Sequence, residues 1–170
     1  MCSLFGSSRD VSAFRRLNRE LMGDIITQQC AFYKFAIDET STNMYGEASG
    51  GRFYKEPVLL NCLILRGDQE NPTSDFGVDT EQNVKFSLLR DDLTDANLVP
   101  EVGDTIMYQE AYYEVDNVIT NQLKLGKDPD YPNSENPLNP NLEEFGYNVS
   151  IICNTHMIPS DNVNIIKSRL

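Results

Sequence analysis

The sequence contains one histidine, His156, the side chain best suited to acid–base chemistry near neutral pH. Cys153 and Asp161 are close to it in the sequence. As a general base or a metal ligand, His156 would need partners supplied by the fold. A single histidine also excludes the multi-histidine zinc sites, and the cysteine spacing does not replace them. We therefore interpret His156 as a polar residue at the end of a strand.

Carboxylates are the other groups that could do chemistry. Asp91, Asp92 and Asp95 could bind a cation if the chain folded around it, but the spacing of an EF-hand loop is absent. Acidic residues at the start of a short helix, near its positive dipole end, are the simpler explanation. The glycine-rich stretch 49–52 lacks the lysine of a phosphate-binding loop. The sequence therefore predicts no catalytic site, metal or cofactor, and a protein that is not an enzyme.

Charge and composition narrow the classes of function. The 170 residues have a formal net charge of −12 and a pI of about 4.4, without the basic stripe that grips nucleic acid. An acidic surface can still face DNA without holding it. No apolar run approaches the length needed to cross a bilayer, and Met1–Gly6 lacks the features of a signal peptide. We expect the four cysteines, which form no Cys-x-x-Cys pair, to be free and reduced.

One amphipathic helix is predicted near the start of the chain. Apolar residues recur at three- and four-residue intervals from Asp10, which is a plausible N-cap, to Gly23, which is a plausible end; they include Phe14, Leu17 and Leu21. Two interpretations are open: the apolar side packs on its own domain, or it docks on a neighbouring subunit.

The sequence pattern of the rest of the chain predicts mainly strands. Residues 25–38 favour a strand, and 57–66 are apolar on both faces, as in a central strand. Alternation at 84–88, a hairpin at 105–119 and a last strand at 147–153 follow, with a short acidic helix or turn at 91–98. We predict one domain over 1–170, a small β-barrel or sandwich with an N-terminal helix and long extended loops. Its parts are a flexible lead-in 1–9, a helix 10–23, a β core 25–155, long loops at 39–55, 67–82 and 127–144, and a C-terminal tail 156–170.

Several segments together resemble the neck, or head-closure, proteins of T-even-like contractile-tailed bacteriophages. They occur in order over roughly residues 10–170: Asn43-Met44-Tyr45-Gly46-Glu47, Pro57-Val58-Leu59-Leu60-Asn61-Cys62-Leu63-Ile64, Leu89-Arg90-Asp91-Asp92-Leu93, Leu98-Val99-Pro100-Glu101-Val102-Gly103-Asp104, Tyr112-Tyr113-Glu114-Val115-Asp116, Gly126-Lys127-Asp128-Pro129-Asp130-Tyr131 and Gly146-Tyr147-Asn148-Val149-Ser150-Ile151-Ile152. The resemblance implies a homo-oligomeric ring, expected to be a hexamer, that closes the DNA-filled head and offers the surface on which the tail docks. The implied partners are a portal-side neck or adaptor protein, and a tail terminator or tail tube and sheath proteins.

This resemblance directs attention to particular residues. The helix side with Phe14, Leu17 and Leu21 is a candidate subunit interface. The stretch 39–55 could be an arm lying across a neighbour, with Tyr45, Phe53 and Tyr54 as anchors, or its aromatics could fold onto their own core. The acidic loops are candidates to face a DNA channel, through Asp68, Glu70, Asp75, Asp79, Asp128 and Asp130. The alternatives are another connector or tail-terminator subunit, or a small barrel that binds a peptide or glycan through loops 67–82 and 127–144.

Overall fold

The chain folds into a closed antiparallel β-barrel preceded by a helix, as seen in a computed structural model that describes residues 8–38, 40, 44, 52–71, 73–74, 77–78, 80–120 and 149–159. The elements are α1 (Ser8–Glu20), a π-helical turn (Leu21–Ile26), β1 (Gln29–Tyr33), β2 (Val58–Glu70), β3 (Thr73–Ser74), β4 (Gly77–Val78), β5 (Glu81–Leu89), α2 (Arg90–Asp95), β6 (Thr105–Tyr108), β7 (Ala111–Ile119) and β8 (Ser150–Ile158).

Six strands close the barrel in the order β1-β2-β5-β8-β7-β6, and every neighbouring pair is antiparallel. The prediction of a mainly β domain with an N-terminal helix is therefore confirmed, and of the two architectures the sequence left open the structure has the barrel. Closure pairs the strands without leaving free sheet edges in the ring. The short β3–β4 hairpin lies outside the barrel, at the tip of the β2–β5 hairpin.

Alternating side chains fill the barrel interior. The cluster is formed by apolar residues that point inward from all six strands, joined by Leu93 of α2: Cys30, Phe32, Leu60, Cys62, Val84, Phe86, Leu88, Ile106, Tyr113, Val115 and Cys153. The rings of Phe86 and Tyr113 pack edge to face with centroids 5.5 Å apart. The three described cysteines are free and buried in this interior, where they act as small apolar side chains.

The structure corrects several predicted boundaries. The helix begins at Ser8 and does not end at Gly23, since the π-helical turn extends it to Ile26. The predicted loop 67–82 is largely strand: β2 continues to Glu70 and pairs with Glu81 of β5. The supposed tail begins inside β8, which extends to Ile158. Loop 127–144 lies outside the described residues.

A bulge explains how β2 continues through so polar a stretch. The β2–β5 register shifts between Arg66 and Gln69. Gly67 lies in this bulge, where an added Cβ would lie 2.8 Å from the carbonyl oxygen of Asn83. A β-bulge with glycine at the close approach lets the strand bend without leaving its partner. Polarity and a glycine in the sequence are what suggested a loop.

Candidate assembly surface

The basic side of α1 faces its own domain. Arg15 Nε donates to Asp91 Oδ2 at 3.0 Å, and a second guanidinium nitrogen contacts the other carboxylate oxygen. One turn further along, Arg19 pairs with Asp92 at 3.1 Å and with Asp95 at 2.7 Å. Because residues four apart lie on one side of a helix, these two arginines meet three carboxylates of α2 together. We call this group of five residues the ionic latch.

Burial and neighbouring charges shift the pKa values of two residues of the latch, Arg19 and Asp92. The hydrogen bond to Asp95 and the charge of Asp92 raise the pKa of Arg19, so its positive charge is stabilised. Partial burial raises the pKa of Asp92, and the neighbouring Arg19 offsets part of that shift. Asp92 is the partner that packing has partly removed from water. Burial therefore opposes the negative charge of Asp92, and the pairing with Arg19 supports it.

The apolar side of α1 faces solvent. Leu17 is 63% exposed and Ile25 of the π-helical turn is 74% exposed, with Phe14 and Leu21 in the same row. Amphipathic surface helices normally bury this side and leave the charged side in water. Here the arrangement is reversed, since the arginines are the residues that contact the protein. We call Phe14, Leu17, Leu21 and Ile25 the helix stripe.

The π-helical turn connects the stripe to the barrel. Met22 is buried, and an added Cβ on Gly23 would lie 3.9 Å from Asn61 Nδ2, so the turn packs over the outer face of β2. Thr27 ends the turn with a positive φ of 49°, its N–H donating to the carbonyl oxygen of Met22 at 3.0 Å. Left-handed backbone is unfavourable for a β-branched residue, so the end of this turn is strained.

A second apolar surface lies on the outside of the barrel. Leu59, Leu63 and Leu65 alternate with inward residues on β2 and are 63%, 48% and 65% exposed. β2 pairs with β1 on one side and with β5 on the other, in agreement with the predicted central strand, and its outer face is apolar as predicted but exposed. We call these three leucines the β2 stripe. Asn61, beneath the π-helical turn, lies between Leu59 and Leu63.

Two of the predicted channel-facing carboxylates are described. Asp68 and Glu70 are exposed in the distal half of β2, where Glu70 lies across from Glu81. They belong to a paired hairpin, which holds like charges together on one projection. The other four predicted residues, Asp75, Asp79, Asp128 and Asp130, lie outside the described residues.

The predicted arm is partly folded on its own barrel. Residues 53–55 pair with residues 34–36 through two backbone hydrogen bonds of 2.9 Å. The Tyr54 ring packs 5.9 Å from that of Phe35 and joins the small cluster of Tyr112 and Ile158. Tyr54 therefore adopts the self-packed alternative. Phe53 is 41% exposed, and Tyr45 lies outside the described residues.

The groups considered for chemistry are not assembled into a site. His156 lies on the outer face of β8 with Nδ1 2.7 Å from Asp116, whereas Cys153 points into the barrel and is fully buried. Burial raises the pKa of the Cys153 thiol to about 12, so this thiol is a poor nucleophile. In the described part of the chain, no three His, Cys, Asp or Glu side chains are placed to hold a metal ion.

Sequence reasoning missed the latch and the β2 stripe. Arginines at positions 15 and 19 and aspartates at 91, 92 and 95 were all visible, but no local signal pairs them across 76 residues.

The helices in the described ranges are all too short or too polar to cross a membrane. No protein-family model matches the sequence, and no curated protein matches it.

Proposed function

We propose that this chain is a structural subunit of the neck of a contractile-tailed bacteriophage and is not an enzyme. It forms a ring, expected to be a hexamer, between the portal side of the head and the tail. The ring closes the DNA-filled head and offers the tail a docking surface. Its partners are a portal-side neck or adaptor protein, and a tail terminator or tail tube and sheath proteins. The subunit is made in the host bacterial cytoplasm and resides in the virion neck.

The main observation in support of this proposal is the orientation of α1, whose apolar side faces solvent. The ionic latch holds the helix with its apolar stripe in water, which costs free energy in an isolated subunit at roughly 25 cal/mol per Å² of apolar surface. A partner that covers the stripe recovers that free energy. Exposed apolar surface beside a rigid barrel is typical of subunits that assemble. The segments that resemble neck proteins are the reason for proposing the phage neck as that assembly.

The negative net charge of the chain supports a subunit that surrounds DNA without binding it. At a net charge of −12, the surface repels phosphates and lets a genome slide through a channel without specific binding. The β2–β5 hairpin, with Asp68, Glu70 and Glu81, is the described projection best suited to line such a channel. The peptide- or glycan-binding alternative relied on loop 67–82 as one of its two binding loops, and both ends of that segment are paired strand.

Self-association in solution tests the proposal. Sedimentation velocity of the 19.3 kDa chain should show a concentration-dependent closed oligomer. Replacing Leu17 by Asp should abolish it, because a charge would be buried at the contact. Val102→Asp is the matched control, since Val102 is 67% exposed but lies on neither stripe. A chain that stays monomeric at high concentration and binds neither neck neighbour would refute the proposal.

A further inference from the structure

Helix α1 buries none of the side chains that the structure describes in it. From Ser12 to Glu20 every side chain is exposed or half-buried, and Met22 of the π-helical turn is the first buried residue that follows. A surface helix normally keeps its place by burying an apolar side. In α1 that side is the helix stripe, which faces solvent, so apolar burial does not keep these residues helical.

The charges of α1 also oppose its own helix. Arg15 and Arg19 are four residues apart, and like charges at this spacing destabilise a helix in water. The pair of Arg16 with Glu20 at 3.0 Å acts in the opposite direction, but in the less favourable of the two orientations. Free helices shorter than about 12–15 residues are marginal even with favourable sequences, and α1 has 13 residues. In isolation this segment therefore lacks the interactions that would keep it helical.

The ionic latch supplies the stabilisation that the helix lacks. Asp91 pairs with Arg15, and both Asp92 and Asp95 pair with Arg19, so contact with α2 neutralises the two like charges. Burial, followed by the charges of Asp95 and Asp91, raises the pKa of Asp92, and Arg19 lowers it. The same contact therefore also offsets repulsion among the carboxylates of α2.

We propose that α1 is a conditional helix, ordered while the latch neutralises its arginines and unfolded when the latch is broken. Buried Met22 keeps the π-helical turn on the barrel, so the conditional segment ends where that turn begins. High salt, which screens partly exposed ion pairs, and loss of a carboxylate of α2 both favour the unfolded state. The switch is a property of the single subunit and holds whether or not the chain belongs to a phage neck.

Trypsin measures this switch, because α1 contains arginines at which the protease cuts and cleavage tracks the population of the unfolded segment. Asp95→Asn removes one latch charge from a side chain that is 61% exposed, and it leaves every arginine in place. Cleavage within α1 of the dilute full chain should become roughly two- to fivefold faster at low salt. The double variant Asp92→Asn/Asp95→Asn removes both partners of Arg19 and should extend this increase. Asp38→Asn is the matched control, since Asp38 is an exposed carboxylate outside the latch.

Salt gives a second measurement on the unmodified chain. Wild-type cleavage within α1 should rise between low salt and about 1 M NaCl and approach the rate of Asp95→Asn. A free peptide of residues 8–20, cleaved in parallel, corrects for the effect of salt on trypsin itself. Circular dichroism should show a matching loss of helical signal, while the melting of the barrel confirms that each variant is folded.

A change in helix propensity separates unfolding from movement of an intact helix. Asn18 lies outside the latch and bonds only the Phe14 carbonyl oxygen of its own helix among the described contacts. Asn18→Ala raises the intrinsic helix propensity, so it should slow cleavage of the Asp95→Asn chain toward the wild-type rate. Equal cleavage of Asp95→Asn and Asp38→Asn would overturn the proposal. A helix that leaves α2 in high salt but keeps its helical signal and its resistance to trypsin would overturn it as well.

Discussion

At the scale of single residues, Asp104 organises the end of the barrel near β6. The carboxylate is buried, and it accepts hydrogen bonds from the backbone N–H of Phe35 at 3.0 Å and of Glu101 at 2.7 Å. It also accepts one from Lys34 Nζ at 3.0 Å. These bonds fix the connection 96–104 against the chain that leaves β1. Asp104 therefore anchors the turn before β6 through a carboxylate that accepts from three donors.

Replacing Asp104 by Asn should destabilise the fold by about 2 kcal/mol or more, because all three bonds lose the carboxylate charge and the NH2 that replaces one oxygen cannot accept from the donors on that side. Urea unfolding followed by circular dichroism measures the change. Glu101→Gln is the control, since Glu101 contacts the same lysine from an exposed position. An Asp104→Asn midpoint equal to that of the wild type would contradict this role.

The difference in stability between the wild type and Glu101→Gln should depend on pH in a defined direction. The hydrogen bond from Lys34 lowers the pKa of Glu101 below its ordinary value of 4.5. A lowered carboxyl pKa in the folded state means that stabilisation is present above pH 4.5 and is lost as the pH falls through the lowered pKa. Wild type and Glu101→Gln should therefore converge in stability under acid, and a difference that grows there would contradict the assignment.

The bulge at Gly67 gives a second test at this scale. Gly67→Ala would place a Cβ 2.8 Å from the backbone oxygen of Asn83, and overpacking of this kind costs about 1–3 kcal/mol. Gly23→Ala is the matched control, because its Cβ would meet only the Asn61 side chain at 3.9 Å. We expect a lowered melting temperature for Gly67→Ala alone; equal melting of the two variants would show that the bulge tolerates a side chain.

At the scale of elements, the attachment of α1 distinguishes this protein from an ordinary barrel with a packed helix. The latch consists of partly exposed ion pairs, which individually contribute about 0–1 kcal/mol and are screened by salt. Hydrogen exchange in α1 should therefore accelerate between low salt and about 1 M NaCl, where the Debye length is about 3 Å, while the barrel strands remain protected.

Substitution of a latch arginine should reproduce the effect of salt. Arg19→Gln should speed exchange in α1 at low salt and reduce its further response to NaCl. Arg16→Gln should do neither, because Arg16 pairs with Glu20 within the same helix. If both variants exchange alike, the helix is held by something other than the latch.

The helices and strands show how much of the fold could be predicted from the sequence. Periodicity predicted α1, and alternation predicted the β6–β7 hairpin, because both signals are local. Periodicity identifies an apolar side of a helix but not what that side contacts, so the outward orientation of the stripe could not be predicted. β2 was predicted as a central strand with two apolar faces. Its leucines look the same in the sequence whether a neighbour covers them or not, so the exposure of the outer face could not be predicted.

At the scale of the whole molecule, the described residues form a closed barrel whose exposed apolar and acidic side chains lie on its outer surface. Its interior is filled, and among the described residues the groups considered for chemistry are buried thiols and a surface histidine that pairs with Asp116. What remains is a pair of apolar stripes and an acidic projection. These features fit the proposed subunit, which would bind other proteins and repel DNA.

The most direct test of the central claim is electron microscopy of the tailed particle assembled with this chain. The account predicts a ring of barrels between the portal and the tail, with the helix stripe of each copy covered by a partner and the β2–β5 hairpins toward the channel. A particle whose neck density does not accommodate this barrel, or that lacks the chain altogether, would contradict the account.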